Sequence, residues 1–240
     1  MKNVVIIGAS SGMGLEVAKL YLERGYRLGV AARREDRLQA LQQLAPDRVV
    51  TQAIDVTDAD AGERLRELID KMGGMDLFFY SSGIGKQNRL LAADIELNTM
   101  NTNALGFARM IGEAYRYFAE RGEGHIAAIT SIAGTKGLGP APSYSATKAL
   151  QNNYLQALEQ QAHARGLNIR FTDIRPGFVD TDLLNGDFRY PMMLKPGKVA
   201  RQIVGAIDRK RHVAVLDWKY ALLTALWRRV PRCVWRCVKL

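Results

Sequence analysis

The sequence predicts an α/β protein built on a doubly wound parallel sheet of about seven strands with helices on both faces. Three observations lead there. Short apolar runs alternate with longer stretches of helical period along the whole chain, the pattern of stacked βα units. Runs such as Asn3-Val-Val-Ile-Ile-Gly8 and Asp76-Leu-Phe-Phe-Tyr80 are almost continuously apolar, as parallel strands covered on both faces must be. The first of these runs leads straight into a glycine-rich turn and then into a helical stretch.

In chain order, strands are expected at 3–8, 27–32, 48–54, 75–81, 125–130, 168–174 and 212–216, with helices near 12–24, 35–44, 58–71, 92–120, 143–165 and 197–209. Right-handed crossovers would place these helices on the two faces. A length of 240 residues with 48% apolar content fills one core, so residues 1–216 read as a single domain and 217–240 as a basic, aromatic-rich tail. Only four apolar residues precede the first glycine, far short of a secretory signal or a membrane span. The mature chain is therefore expected to begin at Met1 and to work in the cytoplasm. Cys233 and Cys237 have no partners at zinc-site spacing, so neither a metal centre nor a disulfide framework is expected. The scattered His125, His163 and His212 are assigned no chemistry.

The formal charge of +10 is unevenly distributed. Residues 209–240 carry nine basic residues against the single acid Asp217, which leaves the body of the chain nearly balanced. With no recognised nucleic-acid motif beside it, the charge does not point to nucleic acid.

The turn Gly8-Ala-Ser10-Ser11-Gly12-Met13-Gly14 joins the first strand to the first helix. Glycines there let backbone approach a pyrophosphate closely, and the helix offers unpaired N–H groups and the positive end of its dipole. The spacing Gly-x3-Gly-x-Gly differs from the commonest dinucleotide fingerprint, and a plain tight loop is the other reading of three glycines. At the end of the second strand an acid would suit the ribose of NAD, whereas an arginine suits the 2′-phosphate of NADP. Here Arg33-Arg34 follow the strand and no acid appears before Glu35, which favours NADP(H).

Tyr144 and Lys148 are four residues apart on one face of an expected helix. An ammonium beside a phenol lowers the phenol's pKa and makes proton transfer feasible near neutral pH. Taken alone, the pair also fits a solvated helix face. In combination, seven ordered elements resemble the short-chain dehydrogenase/reductase family over nearly the whole chain. They are the Gly8, Gly12 and Gly14 turn, Asp55 in Ile54-Asp-Val-Thr-Asp58, Tyr80-Ser-Ser-Gly83, Asn103 in Asn103-Ala-Leu-Gly106, Ser131, the Tyr144 and Lys148 pair, and Pro176-Gly-Phe-Val-Asp-Thr181. The step of thirteen residues from Ser131 to Tyr144 is also what single-domain members look like. Two departures stand out: Tyr80-Ser81-Ser82-Gly83 replaces the frequent Asn-Asn-Ala-Gly, and Ile7 replaces a frequent threonine.

The resemblance implies a Rossmann fold and a hydride exchanged between NADP(H) and a carbonyl or alcohol substrate. It implies that Tyr144 is the general acid or base, and that Ser131 holds the substrate oxygen. Lys148 would hold the nicotinamide ribose and tune Tyr144, while Asn103 would anchor a water that relays protons from Lys148. Asp55 and Val56 would meet the adenine, Ser82 and Gly83 the adenosine ribose, and Val179 and Thr181, after the Pro176-Gly177 turn, the carboxamide. Helices near 92–120 and 143–165 would form the interface of a homodimer or homotetramer.

Residues 182–195, in the place of a substrate lid, contain Leu183, Leu184, Phe188, Tyr190, Met192 and Met193, which suit either an apolar substrate or packing on the protein itself. The tail 218–240 mixes Trp, Leu and Arg, and Pro231 should divide it into two pieces. It suits peripheral contact with a membrane surface, a packed C-terminal helix, or a subunit contact. A catalytically silent NADP-binding sensor or scaffold is the alternative to an enzyme.

Overall fold

The computed structural model describes residues 2–181 and 192–238. Strands β1 (Asn3–Ile7), β2 (Arg27–Ala32), β3 (Val49–Ala53), β4 (Leu77–Tyr80), β5 (Glu123–Ile129), β6 (Asn168–Arg175) and β7 (Val213–Val215) form one sheet in the order β3-β2-β1-β4-β5-β6-β7. Every neighbouring pair is parallel. The helices are α1 (Gly12–Glu23), α2 (Glu35–Gln43), α3 (Ala61–Met72), α4 (Ala93–Met100), α5 (Phe107–Arg121), α6 (Pro142–Ala164), α7 (Pro196–Asp208), α8 (Trp218–Trp227) and α9 (Arg232–Trp235).

Successive side chains of a strand face opposite ways, so each half of a continuous apolar run feeds its own core. Val4 and Ile6 of β1 join one cluster with Val17 of α1, Leu38 of α2 and Ile203 of α7. Val5 and Ile7 join the other, with Leu68 of α3, Phe118 of α5 and Leu155 of α6. This is the doubly wound architecture expected from the sequence.

The long helix expected over 92–120 is divided. Between α4 and α5 the backbone runs as a π-helical turn over Asn101–Gly106. The turn presses against the loop after β3: a Cβ on Gly106 would lie 2.8 Å from Val56 Cγ2 and 2.9 Å from the Val56 carbonyl oxygen. Wide turns of this kind free a backbone carbonyl from the helical ladder. Here the Asn103 carbonyl accepts a hydrogen bond from Gln151 Nε2 of α6 at 2.7 Å.

Pro231 divides the tail into α8 and α9, as its missing N–H requires. One face of α8 docks on the domain through Tyr220, whose ring seats where a Cβ on Gly177 would come within 2.3 Å. Trp235 Nε1 of α9 donates to the Gly137 carbonyl at 2.8 Å, and Lys136 Nζ donates to the Val230 carbonyl at 2.7 Å. No helix among the described residues is long and apolar enough to cross a membrane.

His125 of β5 is largely buried and lies 2.9 Å from Thr172 Oγ1 through Nε2. Burial, reinforced by the positive charges of Lys210, Arg170 and Lys2, lowers its pKa from 6.5 to about 4. Between those values the unfolded chain binds a proton that the folded chain does not, so stability falls as pH falls through the window, by about 3 kcal/mol in full. Urea midpoints measured at pH 7, 5 and 4 are expected to fall less steeply for His125→Gln than for the parent chain. Parallel slopes would show that His125 does not contribute.

Candidate functional site

The site opens at the carboxyl ends of β1 and β4, where the chain's connections diverge to opposite faces of the sheet. Gly8 has φ +86°, and a Cβ there would fall 2.7 Å from the Ser82 amide nitrogen. A Cβ on Gly14 would fall 2.2 Å from the Gly8 carbonyl oxygen. The turn is thus closed against both β4 and its own helix, a geometry only glycine permits. Ser11, the N-cap of α1, makes no side-chain cap to the helix, so the first-turn N–H groups have no capping acceptor from it. An open helix N-terminus beside a glycine turn is a built anion site.

A cleft of about 380 Å³ extends from this turn, lined by Gly8, Ser10, Ser11, Gly12, Met13, Arg33, Arg34, Asp55, Val56, Ser82, Gly83 and Thr181 among others. The two arginines differ. Arg34 reaches back over the turn and donates to Ser11 Oγ at 2.6 Å and to Ser10 Oγ at 3.1 Å. Arg33 stays largely exposed, 3.9 Å from Asp55. Burial alone would raise the pKa of Asp55, but hydrogen bonds from the Thr57 amide and hydroxyl, with the charge of Arg33, hold it below the usual carboxylate range.

Asn103, Ser131, Tyr144, Lys148, Pro176, Gly177 and Val179 lie outside that lining, and Asn103 and Lys148 adjoin it at Gly83. Gly83 is the junction: its Cβ position is 3.3 Å from Asn103 Oδ1 and 3.8 Å from Lys148 Nζ. The Asn103 side chain is held by the Ile84 backbone, accepting from its N–H at 2.9 Å and donating to its carbonyl at 2.7 Å. Lys148 is 4% exposed. Its amine donates to Gln151 Oε1 at 2.9 Å and to the Ile129 carbonyl at 3.3 Å. Burial pushes its pKa down to about 8 against the opposing attraction of Asp173. Nζ also lies 5.8 Å from the centroid of the Tyr144 ring. Tyr144 is half-buried, and its ring edge would lie 2.9 Å from a Cβ on Gly85.

Ser131 caps the short 3₁₀ turn Ile132–Thr135, its Oγ accepting from the Ala133 N–H at 3.0 Å. Gly134 of that turn lies so close to α6 that a Cβ would come 2.6 Å from the Lys148 carbonyl oxygen. The Ile132 N–H donates to the Pro176 carbonyl at 3.2 Å, tying the Ser131 turn to the Pro176-Gly177 turn. Val179 is buried and bridges to Leu194, and Thr181 Oγ1 donates to the Val179 carbonyl at 3.4 Å. Of the expected lid residues, Leu183, Leu184, Phe188 and Tyr190 lie outside the described residues. Met192 and Met193 are partly exposed.

Four contributors are not marked in the sequence by a motif. Gln151 falls seven residues after Tyr144 and three after Lys148, so a polar residue repeating on the buried face of α6 was its signal. Gly85 and Gly134 make room for Tyr144 and α6 by lacking a side chain, which nothing local announces. Asp173, one of several polar residues in β6 and so unmarked by any break in pattern, is buried with Thr130 and Arg175 as partners, and burial raises its pKa despite them.

The short chain dehydrogenase family model matches residues 2–189. An uncharacterized oxidoreductase of Myxococcus xanthus is 31% identical, over 96% of this chain and 93% of its own. Another, from Mycobacterium tuberculosis, is 31% identical over 96% and 95%. Among solved structures, an alcohol dehydrogenase from the archaeon Thermococcus sibiricus, complexed with 5-hydroxy-NADP, superposes with a TM-score of 0.78 and 26% identity, covering 90% of this chain and 95% of that one. ElxO with NADP bound shares the fold, with a TM-score of 0.80 and 23% identity over 92% and 99%. A glycine turn closed on β4, a cleft at the strand reversal and a family match over most of the chain establish that this protein belongs to the short-chain dehydrogenases and is an oxidoreductase.

Proposed function

We propose that the protein transfers a hydride between NADP(H) and the carbonyl or alcohol carbon of an apolar small molecule, with Tyr144 handling the proton. The observation that carries this reading is the clustering around Lys148: its amine stands beside Gly83 of the cleft and 5.8 Å from the Tyr144 ring centroid, and the turn capped by Ser131 packs on its backbone through Gly134.

When bound, the nicotinamide supplies the hydride; the protein supplies position, proton and field. The glycine turn and the α1 N-terminus would hold the pyrophosphate, Asp55 and Val56 the adenine, and Ser82 and Gly83 the adenosine ribose. Val179 and Thr181 would stand at the carboxamide. Ser131 Oγ would donate to the substrate oxygen, and Tyr144 would give its phenolic proton to that oxygen in reduction and recover it in oxidation. Lys148, whose amine lies 5.8 Å from the ring centroid, would stabilise by its charge the phenolate left when that proton is given up. Tyr144→Phe is expected to lower kcat at least about a hundredfold while leaving the Kd for NADPH within about threefold. Equal turnover would remove Tyr144 from the mechanism; tight binding without turnover in the parent chain would favour the sensor reading.

NADP over NAD rests on Arg34, which the Ser10 and Ser11 hydroxyls hold across the cradle, with Arg33 beside it at the cleft rim. Two relatives in fold were solved with NADP-type ligands. Arg34→Gln is expected to cut the ratio of kcat/KM for NADPH over NADH about tenfold, equal to one charge-assisted hydrogen bond of about 1.4 kcal/mol. An unchanged ratio would place the 2′-phosphate contact elsewhere.

Two surfaces follow from the same reading. Leu97 of α4, Leu105 of the π-helical turn and Leu150 of α6 are exposed and apolar, suited to a second copy of the chain in a homodimer or homotetramer. On α8, Trp218, Leu222 and Leu226 recur every four residues on the face opposite Tyr220 and are 70%, 55% and 60% exposed. Lys219, Arg228, Arg229 and Arg232 accompany them. That pairing of apolar stripe and positive charge fits an anionic bilayer surface. Co-sedimentation with vesicles containing phosphatidylserine is expected to fall at least severalfold in a Trp218→Ser, Leu222→Ser, Leu226→Ser variant. Loss of the oligomer without any change in vesicle binding would reassign the stripe to a subunit contact.

A further inference from the structure

Gln151 is fully buried, and both ends of its amide are engaged within one short path. Its Oε1 accepts from Lys148 Nζ at 2.9 Å, and its Nε2 donates to the Asn103 carbonyl at 2.7 Å. That carbonyl belongs to the π-helical turn, and the Asn103 side chain is separately committed to Ile84 and Thr147. The family resemblance implies that Asn103 anchors a water relaying protons from Lys148; between the Lys148 amine and the Asn103 carbonyl the structure places a side-chain amide.

The substitution changes the chemistry. A water molecule accepts and releases protons, whereas a primary amide near neutral pH only donates and accepts hydrogen bonds. An ammonium has three donors. Gln151 takes one, and the Ile129 carbonyl a longer second. Gly83, which lines the cleft, stands 3.8 Å from Nζ at its Cβ position.

We propose that Gln151 is a positioning residue whose amide clamps the Lys148 amine to the Asn103 carbonyl and seals that side of the amine against proton exchange, so that Lys148 meets solvent only through the cleft. The proposal rests on the reading of Lys148 as the partner of Tyr144, but the clamp itself exists without cofactor. The charged and titratable groups around the amine are Asp173 on β6, itself paired with Arg175, and Tyr144 on α6; the Ile129 carbonyl faces it from β5.

The test is a pH titration of the free protein by NMR with ¹³Cε-labelled lysine, the Lys148 signal being the one lost in Lys148→Met. The parent signal is expected to titrate at about pH 8, lowered by burial. Gln151→Met keeps the shape of the side chain and removes both hydrogen bonds, so the midpoint is expected to fall by about half a unit or more. Gln151→Glu places a carboxylate on the amine, and the midpoint is expected to rise by about one unit or more. Midpoints equal to the parent's in the folded variants overturn the clamp whatever the turnover. Midpoints that move as expected while the parent chain turns over no carbonyl with NADPH leave the clamp standing and refute the hydride-transfer reading.

Discussion

The pairing of β1 with β4 is the constraint on which the rest of the site depends. From β1 the chain first builds outward through β2 and β3, then crosses back to β4 and builds the other way. The ends of β1 and β4 therefore lie side by side with their loops leaving in opposite directions, and a crevice must open between them. What lines it is decided by how closely two backbones can approach. Gly8 meets Ser81 and Ser82 at a separation that leaves no room for a side chain, so the turn lies flat and α1 begins at the floor of the crevice.

Against this frame α6 does the opposite of what a core helix ordinarily does. It turns Ser143, Ser145, Thr147, Lys148, Gln151 and Asn152 inward, all buried. An amine enclosed in this way is costly unless hydrogen-bonded and near opposite charge, and Lys148 has Gln151, Ile129 and, at longer range, Asp173. The apolar core on its side of the sheet, which Leu155 and Ala162 of the same helix join, holds this polar face where its own chemistry would not. The cost of enclosing the Lys148 amine is the counterpart of its lowered pKa.

The fold was legible because its signals are local. Apolar runs, continuous in β1 and β4 and broken by polar residues in β3 and β6, marked each strand within a few residues, and the glycine turn marked the cradle. Tyr144 and Lys148 were legible as a pair because a helix repeats its faces, and the same repeat extended by three residues reaches Gln151. Other features depend on contacts between segments distant in sequence. The π-helical turn arises from Gly106 pressing on Val56, about fifty positions earlier, and no periodicity within 92–120 announces it. Which of Arg33 and Arg34 turns toward the cradle was set by Ser10 and Ser11 across the sheet edge. The docking of the tail depends on the bare surface of Gly177, which reads in sequence only as half of a turn.

Tyr220 also ties Phe178 to Met192. Its hydroxyl accepts from the Phe178 N–H at 3.2 Å and donates to the Met192 carbonyl at 3.1 Å, while Leu194 exchanges backbone hydrogen bonds with Phe178 and Asp180. The C-terminal helix is thus a brace as well as a surface: a change at Tyr220 would be felt both at the Gly177 backbone it covers and at the Val179–Leu194 bridge beside it.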